Sequence, residues 1–268
     1  MEVMISAQNV SKIFNSPNGR KVEALKNVSL DIKKHEFACI VGPSGCGKTT
    51  LLNILTGLLK PTIGEVLVNG CAAESINIKI GHMSQADSLL PWRTVLENVE
   101  LGLEVRGMPK RERREIAQKL IERVGLKGFE RSYPFELSGG MKKRVTVIRA
   151  LAYGPEILFM DEPFGALDVQ TRDMLEDDIL KIWQETRKTI VFVTHDLAEA
   201  ITLADRVILM TARPGTLKGE YHISLPRPRS AVETRFASQF VEIYKRIWKD
   251  LSSEVMKARE GNYESTEH

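Results

Sequence analysis

Long apolar runs are missing from this chain. Nowhere in its 268 residues do about 18 apolar residues stand together, so no segment reads as a membrane-spanning helix. The opening MEVMISAQNV has neither a basic start nor an apolar core, and no secretory leader is expected. Cysteine is scarce as well. Cys39, Cys46 and Cys71 are odd in number and show no metal-ligand spacing, which argues against a disulfide framework or a zinc site and fits a reduced compartment. A dominant charge sign is also lacking: 38 Lys and Arg face 35 Asp and Glu, too balanced and too interleaved to call for a nucleic-acid partner. The most basic stretch, KRERREIAQKLIERV (110–124), alternates signs and sets Ile116, Leu120, Ile121 and Val124 on one face, the pattern of a solvated amphipathic helix. Internal repeats and low-complexity segments are absent. With 43% hydrophobic residues the chain has enough material for a sizeable core, either one large domain or a core with a subdomain.

What is present is a series of short apolar runs that end in special residues. FACIV (37–41) leads into a glycine-rich stretch, EILFM (156–160) into Asp161, and TIVFVT (189–194) into His195, with RVILM (206–210) as a fourth. Each reads as a buried strand, and the helical patterns between them predict an α/β sheet covered on both faces. Ligands gather beyond the carboxyl ends of such strands. The first forty residues predict a separate antiparallel β layer. Residues from about 86 to 146 predict a mostly helical insertion, with Thr94 and Glu97 as the capping box of its first helix. A main domain is expected over 1–225, followed by a tail over 226–268. There Val232, Phe236, Phe240, Ile243, Tyr244, Ile247, Trp248, Leu251 and Val255 form a helical stripe, which packs on its own domain or meets a partner.

The chemistry concentrates in GPSGCGKTT. Gly42, Pro43, Ser44, Gly45, Cys46, Gly47, Lys48, Thr49 and Thr50 match the phosphate-loop pattern after a strand and before an apolar helix. Backbone N–H groups must turn inward around phosphate oxygens there, Lys48 supplies a charge for the β- and γ-phosphates, and the Thr49 hydroxyl suits Mg²⁺. Cys46 either does redox chemistry or merely tolerates the turn. In ILFMDEP, adjacent residues of an extended strand point to opposite sides, so Asp161 is expected to hold Mg²⁺ and Glu162 to polarise the attacking water. His195, at the same sheet edge, is a candidate for the γ-phosphate. Gln85 is a candidate for the metal and the nucleophilic water, or a plain loop residue. Phe14, upstream of the loop, either stacks under an adenine ring or packs in the core. A second cradle follows in ELSGGMKKRV. Ser138 caps a helix expected to run to about Tyr153, Gly139 and Gly140 let a ligand approach, and the charges of Lys142, Lys143 and Arg144 at a positive helix end call for an anion.

With Phe14, GPSGCGKTT, Gln85, LSGGM, ILFMDEP, ALD (166–168) and His195 in this order, the sequence resembles the ATP-binding subunits of ABC transporters over about residues 5–225. The resemblance implies an α/β P-loop NTPase, RecA-like core with an N-terminal antiparallel β subdomain and an inserted helical subdomain. It also implies an ATPase using ATP and Mg²⁺ as a head-to-tail homodimer. Each nucleotide would lie between the phosphate loop of one copy and Ser138, Gly139 and Gly140 of the other, with Asp168 linking the sites. The implied partners are integral membrane permease subunits and, indirectly, a solute-binding protein, at the cytoplasmic face of the inner membrane. LLPWRTVLENV, DEPFGALD and LADRVILMTARPG resemble the nitrate, sulfonate and taurine importer branch. Two features depart from the usual pattern, Lys142–Lys143–Arg144 after LSGGM and Ser84 before the glutamine. The alternatives are a soluble ABC ATPase not coupled to transport, or a separate-subunit exporter.

Overall fold

Strands buried on both faces build the main sheet. The computed structural model describes residues 2–15, 19, 21–73, 80–85, 88–165 and 167–264. Ile78 and Lys79 of the strand expected before Gln85, the start of the helical reading at 86, and Ala166 of the ALD segment lie outside the described residues.

The N-terminal layer is the expected antiparallel sheet, joined by two strands from beyond the first forty residues. It holds β1 (Val3–Asn15), β2 (Lys21–Lys33), β4 (Ile63–Val68) and β5 (Cys71–Ala72) in the order β2-β1-β4-β5. The second sheet runs β10-β9-β3-β8-β7-β6, from β3 (Phe37–Val41), β6 (Ile80–Met83), β7 (Ile157–Asp161), β8 (Thr189–Thr194), β9 (Arg206–Met210) and β10 (Leu217–His222). All pairs are parallel except the edge pair β9–β10. Every residue of β3, β7, β8 and β9 is buried, which is why these runs read as continuously apolar. Beneath that continuity the pleat sorts the two faces. Phe37, Cys39 and Val41 meet one core, with Phe192 and Leu209, while Ala38 and Ile40 meet the other, with Val193 and Ile208.

The second of these cores lies toward the antiparallel sheet and includes Leu51, Leu52 and Leu55 of α1 (Lys48–Leu55). The first is covered by α5 (Val169–Thr186), α6 (Leu197–Leu203) and α7 (Ser238–Glu264). A third cluster is wholly helical and joins α2 (Val95–Val105), α3 (Lys110–Arg123) and α4 (Gly139–Ala152). Thr94 and Glu97 form the capping box in full.

Two expectations shift. The helical unit does not end near 146, because α4 belongs to both layers. Val145, Ile148 and Ala152 face the helical cluster, whereas Val147, Ala150 and Leu151 face the main core. The tail stripe is shorter than its sequence pattern. Phe240, Ile243, Ile247 and Leu251 are buried in the main core, but Val232 and Phe236 precede α7 and are exposed, since the chain there makes only a 3-10 turn (Glu233–Phe236). No helix among the described residues is long and apolar enough to cross a membrane.

Candidate active site

The parallel register brings the predicted chemistry to one edge. Val41 pairs with Thr194, Asp161 with Val193, and Met83 with Met160, so the residues just beyond β3, β8, β7 and β6 emerge side by side. These are the glycine loop, His195, Asp161–Glu162 and Gln85.

The loop itself depends on glycine at its exit. Gly47 adopts φ 107°, and a Cβ there would sit 2.9 Å from both the Ala24 carbonyl and Leu25 Cδ2. Directly after it α1 begins with Lys48. The buried Lys48 ammonium donates to the carbonyls of Gly42 at 3.0 Å and Pro43 at 3.2 Å, which draws the side chain back over its own loop. Cys46 is buried, and burial pushes its thiol up, away from the reactive thiolate. The turn-tolerating role is the one its surroundings support.

Asp161 is the last residue of β7. Its Oδ1 accepts a hydrogen bond from Thr49 Oγ1 at 3.2 Å. Burial raises the Asp161 pKa, and the neighbouring Glu162 charge adds to the rise, against the Thr49 hydrogen bond and Lys48. Glu162 is not on extended backbone, as the strand argument assumed. It leaves β7 at φ 43°, its N–H donating to the Val193 carbonyl at 2.9 Å. That left-handed turn, and not strand alternation, separates the two carboxylates. Glu162 then collects three partners: Lys48 Nζ at 3.7 Å, His195 Nδ1 at 3.2 Å and Gln85 Nε2 at 3.3 Å. Gln85 is thus brought into the cluster, not left as a plain loop residue.

A cavity of about 320 Å³ opens beside this cluster. Phe14, Ser44, Gly45, Gly47, Lys48, Thr49, Thr50, Gln85 and Glu162 line it, as does Arg213. Phe14 is 41% exposed, pairs across the strands with Val22 and lines the cavity, with the Lys12 ammonium 5.3 Å from its ring centre, so it is not core packing. Val22, Ala24 and Arg213 were missed in the sequence. Val22 follows from pairing across from Phe14, but nothing in the local pattern around Ala24 or Arg213 marks either as a site residue.

The second cradle lies elsewhere. Ser138 Oγ accepts from the Met141 N–H at 3.3 Å, capping α4, and Ser138 and Gly139 are exposed. None of Ser138, Gly139 and Gly140 is among the residues lining the cavity of the same chain. The start of α4 abuts the start of α5 closely: a Cβ at Gly140 would fall 2.4 Å from Thr171 Cγ2. Asp168 caps α5 by accepting from the Thr171 N–H at 3.0 Å. The positive charge expected to call for an anion at α4 is answered in part within the chain. Lys143 donates to the Gln85 carbonyl at 3.3 Å, and Arg144 pairs with Asp178 at 3.4 Å, so two of the three cations are answered within the chain.

A family model described as ABC transporter matches residues 25–165. The chain belongs to the ABC transporter family. This cassette is 50% identical over 258 residues to an uncharacterized ABC transporter ATP-binding protein of Methanocaldococcus jannaschii, covering 96% of this chain and 95% of that one. It is 41% identical over 265 residues to the taurine import ATP-binding protein TauB of Roseobacter denitrificans, with 96% and 98% of the two chains covered. Among solved structures, it matches the dimeric post-hydrolysis ATP-binding cassette MJ0796 bound to ADP and Pi. The TM-score is 0.74 and the identity 36%, over 83% of this chain and 100% of that one. The cassette is accordingly an ATP-binding ATPase with a P-loop NTPase core.

Proposed function

We propose that this cassette is the ATP-hydrolysing subunit of an importer. It works as a head-to-tail pair at the cytoplasmic face of the cell membrane and drives a separate permease, which receives taurine, a related sulfonate, nitrate or a similar small solute from a solute-binding protein. The observation that carries the enzymatic part is the Glu162 carboxylate, gathered by Lys48, Gln85 and His195 beside a cavity lined by the phosphate loop. The importer part is supported by relatives about 40% identical along nearly the whole chain that are named for taurine import. Trp92 and Phe135, 71% and 75% exposed beside the helical layer, offer apolar surface for a partner there.

In this reading Phe14 stacks on the adenine, and Lys48 with the loop N–H groups of Ser44 to Thr50 holds the β- and γ-phosphates. Thr49 and Asp161 fit Mg²⁺: hydroxyl and carboxylate oxygens already face each other, and Asp161 is a buried acid whose charge a cation would relieve. Gln85 would complete that set, and bound Mg²⁺ would neutralise charge on the phosphate oxygens. Glu162 accepts a proton from water as its oxygen attacks the γ-phosphorus. The bond from that phosphorus to the bridging oxygen breaks, leaving ADP and inorganic phosphate. His195, held against Glu162, orients the γ-phosphate and fixes the carboxylate. Ser138, Gly139 and Gly140 of one copy close over the nucleotide of the other, and Asp168 at the neighbouring helix start links the two sites.

The test is capture of this chain from gently solubilised native membranes with mass spectrometry of what accompanies it. A multi-span permease encoded as a separate chain is the expected companion, and its binding protein can then be screened against taurine, other sulfonates and nitrate. Only soluble or nucleic-acid-associated companions would overturn the importer and leave the ATPase standing.

A further inference from the structure

Between β9 and β10 the chain makes a tight loop that is fastened on two sides. Gly215 N–H donates to the Ala24 carbonyl, and Lys26 N–H donates to the Gly215 carbonyl, both at 3.0 Å, tying the loop to β2. Gly215 also presses on the phosphate loop, since a Cβ there would lie 2.2 Å from the Cys46 carbonyl oxygen. On the other side Glu254 of α7, only 2% exposed, accepts from the Ala212 N–H at 2.9 Å. The same carboxylate is held by Lys218 at 2.6 Å and Lys257 at 3.0 Å. Between these anchors, just ahead of Pro214, stands Arg213. Its Nε–H donates to the Gly45 carbonyl at 3.2 Å, and its Nη2 lies 3.8 Å from where a Gly45 Cβ would be.

Arg213 is therefore laid along the phosphate loop at the cavity wall. Among the described residues that line the cavity, its only fellow cation is Lys48, whose ammonium is already shared by two carbonyls and lies near Glu162. A nucleotide triphosphate brings several negative charges into this space. A guanidinium beside Gly45 presents a flat fork of donors suited to phosphate oxygens. We propose that Arg213 is a nucleotide-binding residue that engages the phosphate chain of ATP and ADP, and that Glu254 of the tail helix is a positioning residue that holds it there through Ala212. This rests on the ATP-site reading above and adds to it a route from α7 to the nucleotide.

The test is competitive displacement of a fluorescent ATP analogue by unlabelled ATP, ADP and adenosine, with thermal unfolding of each variant alongside. Arg213→Ala should raise the Kd for ATP and ADP roughly tenfold while leaving adenosine unchanged, the scale of one lost charge-assisted contact. Arg213→Gln keeps a donor for Gly45 but no charge and should share the loss, and Arg213→Lys should recover part of it. Unchanged ATP affinity in Arg213→Ala, wild-type affinity in Arg213→Gln, or an equal loss for adenosine would each overturn the role. Failure of the wild-type chain to bind ATP would instead sink the underlying site assignment. Glu254→Ala should reproduce the Arg213→Ala loss, and the double variant should bind no more weakly than Arg213→Ala alone. Glu254→Gln, which retains an acceptor for Ala212, should bind ATP near the wild-type level. Additive losses in the double variant, or a Glu254→Gln as weak as Glu254→Ala, would remove Glu254 from the positioning role.

Discussion

Glu162 occupies left-handed backbone, which costs a non-glycine residue on the order of 1 kcal/mol or more and persists only where the surroundings hold it. Here the Val193 carbonyl holds its N–H, and three side chains hold its carboxylate. The result is a carboxylate aimed at the cavity instead of back along the strand. Glutamine at this position keeps the size and one acceptor oxygen but cannot take a proton from water. Glu162→Gln is therefore expected to bind MgATP and to hydrolyse it at least ~10²-fold more slowly, the low end of general-base effects. Steady-state phosphate release beside equilibrium ATP binding checks this, and wild-type-like turnover would remove the base assignment. At this scale the sequence pointed to residues that the fold gathers at one sheet edge, because the phosphate-loop spacing and the Asp-Glu pair after an apolar run are local patterns. It did not show how Glu162 turns, since that conformation is set by β8, far away in the chain. Arg213 was invisible for the same reason: its partner Gly45, and Glu254 that holds the neighbouring Ala212, lie on either side of it in sequence, at long range.

Helix α7 illustrates what an element's periodicity reveals and what it hides. The apolar stripe predicted the buried face of Phe240, Ile243, Ile247 and Leu251 because helical spacing alone fixes it. Ile247 is fully buried against the main core, and Ile247→Ala is expected to cost about 2–5 kcal/mol in urea unfolding, the range for such core truncations. A loss under 1 kcal/mol would mean that α7 packs loosely. The stripe could not reveal Glu254, a charge buried on the helix by partners on the 211–218 segment. Burial alone would raise its carboxyl, but hydrogen bonds from Lys218, Ala212 N–H and Lys257 outweigh it and bring the pKa from 4.5 down to about 2. A folded-state pKa below the unfolded one means stability that is full above about pH 4.5 and lost as the pH falls toward 2. Wild type should therefore exceed Glu254→Gln in urea midpoint at neutral pH, with the gap closing as the pH falls through that window. A gap that stays constant with pH would show that the ionised carboxylate is not what fastens α7 to the loop. Likewise α4 read as the end of an insertion, because sequence shows one helix at a time and cannot show that its opposite faces serve two cores.

For the whole molecule the decisive feature is a separation. Ser138 and Gly139 are exposed at the start of α4, and the residues that line the nucleotide cavity do not include them. In the proposed function this exposed helix start serves a nucleotide held by another copy, and the structural neighbour MJ0796 is a dimeric cassette. Arginine at Ser138 would fill that approach, so Ser138→Arg is expected to abolish hydrolysis while ATP binding by the isolated subunit survives. Mixed dimers separate the two ways of building the site. One subunit carries Lys48→Ala and the other Ser138→Arg, both in the Glu162→Gln background so that trapped ATP can be counted. If each site is shared, both defects fall on the same composite site: the altered loop of one chain meets the altered α4 of the other. The second site then has an intact loop and an intact α4, and one ATP per dimer is retained. If each chain closes over its own nucleotide, every site carries one defect and no ATP is trapped. Retention of one ATP establishes the head-to-tail pair, and its absence, with the Glu162→Gln homodimer trapping ATP under the same conditions, excludes it.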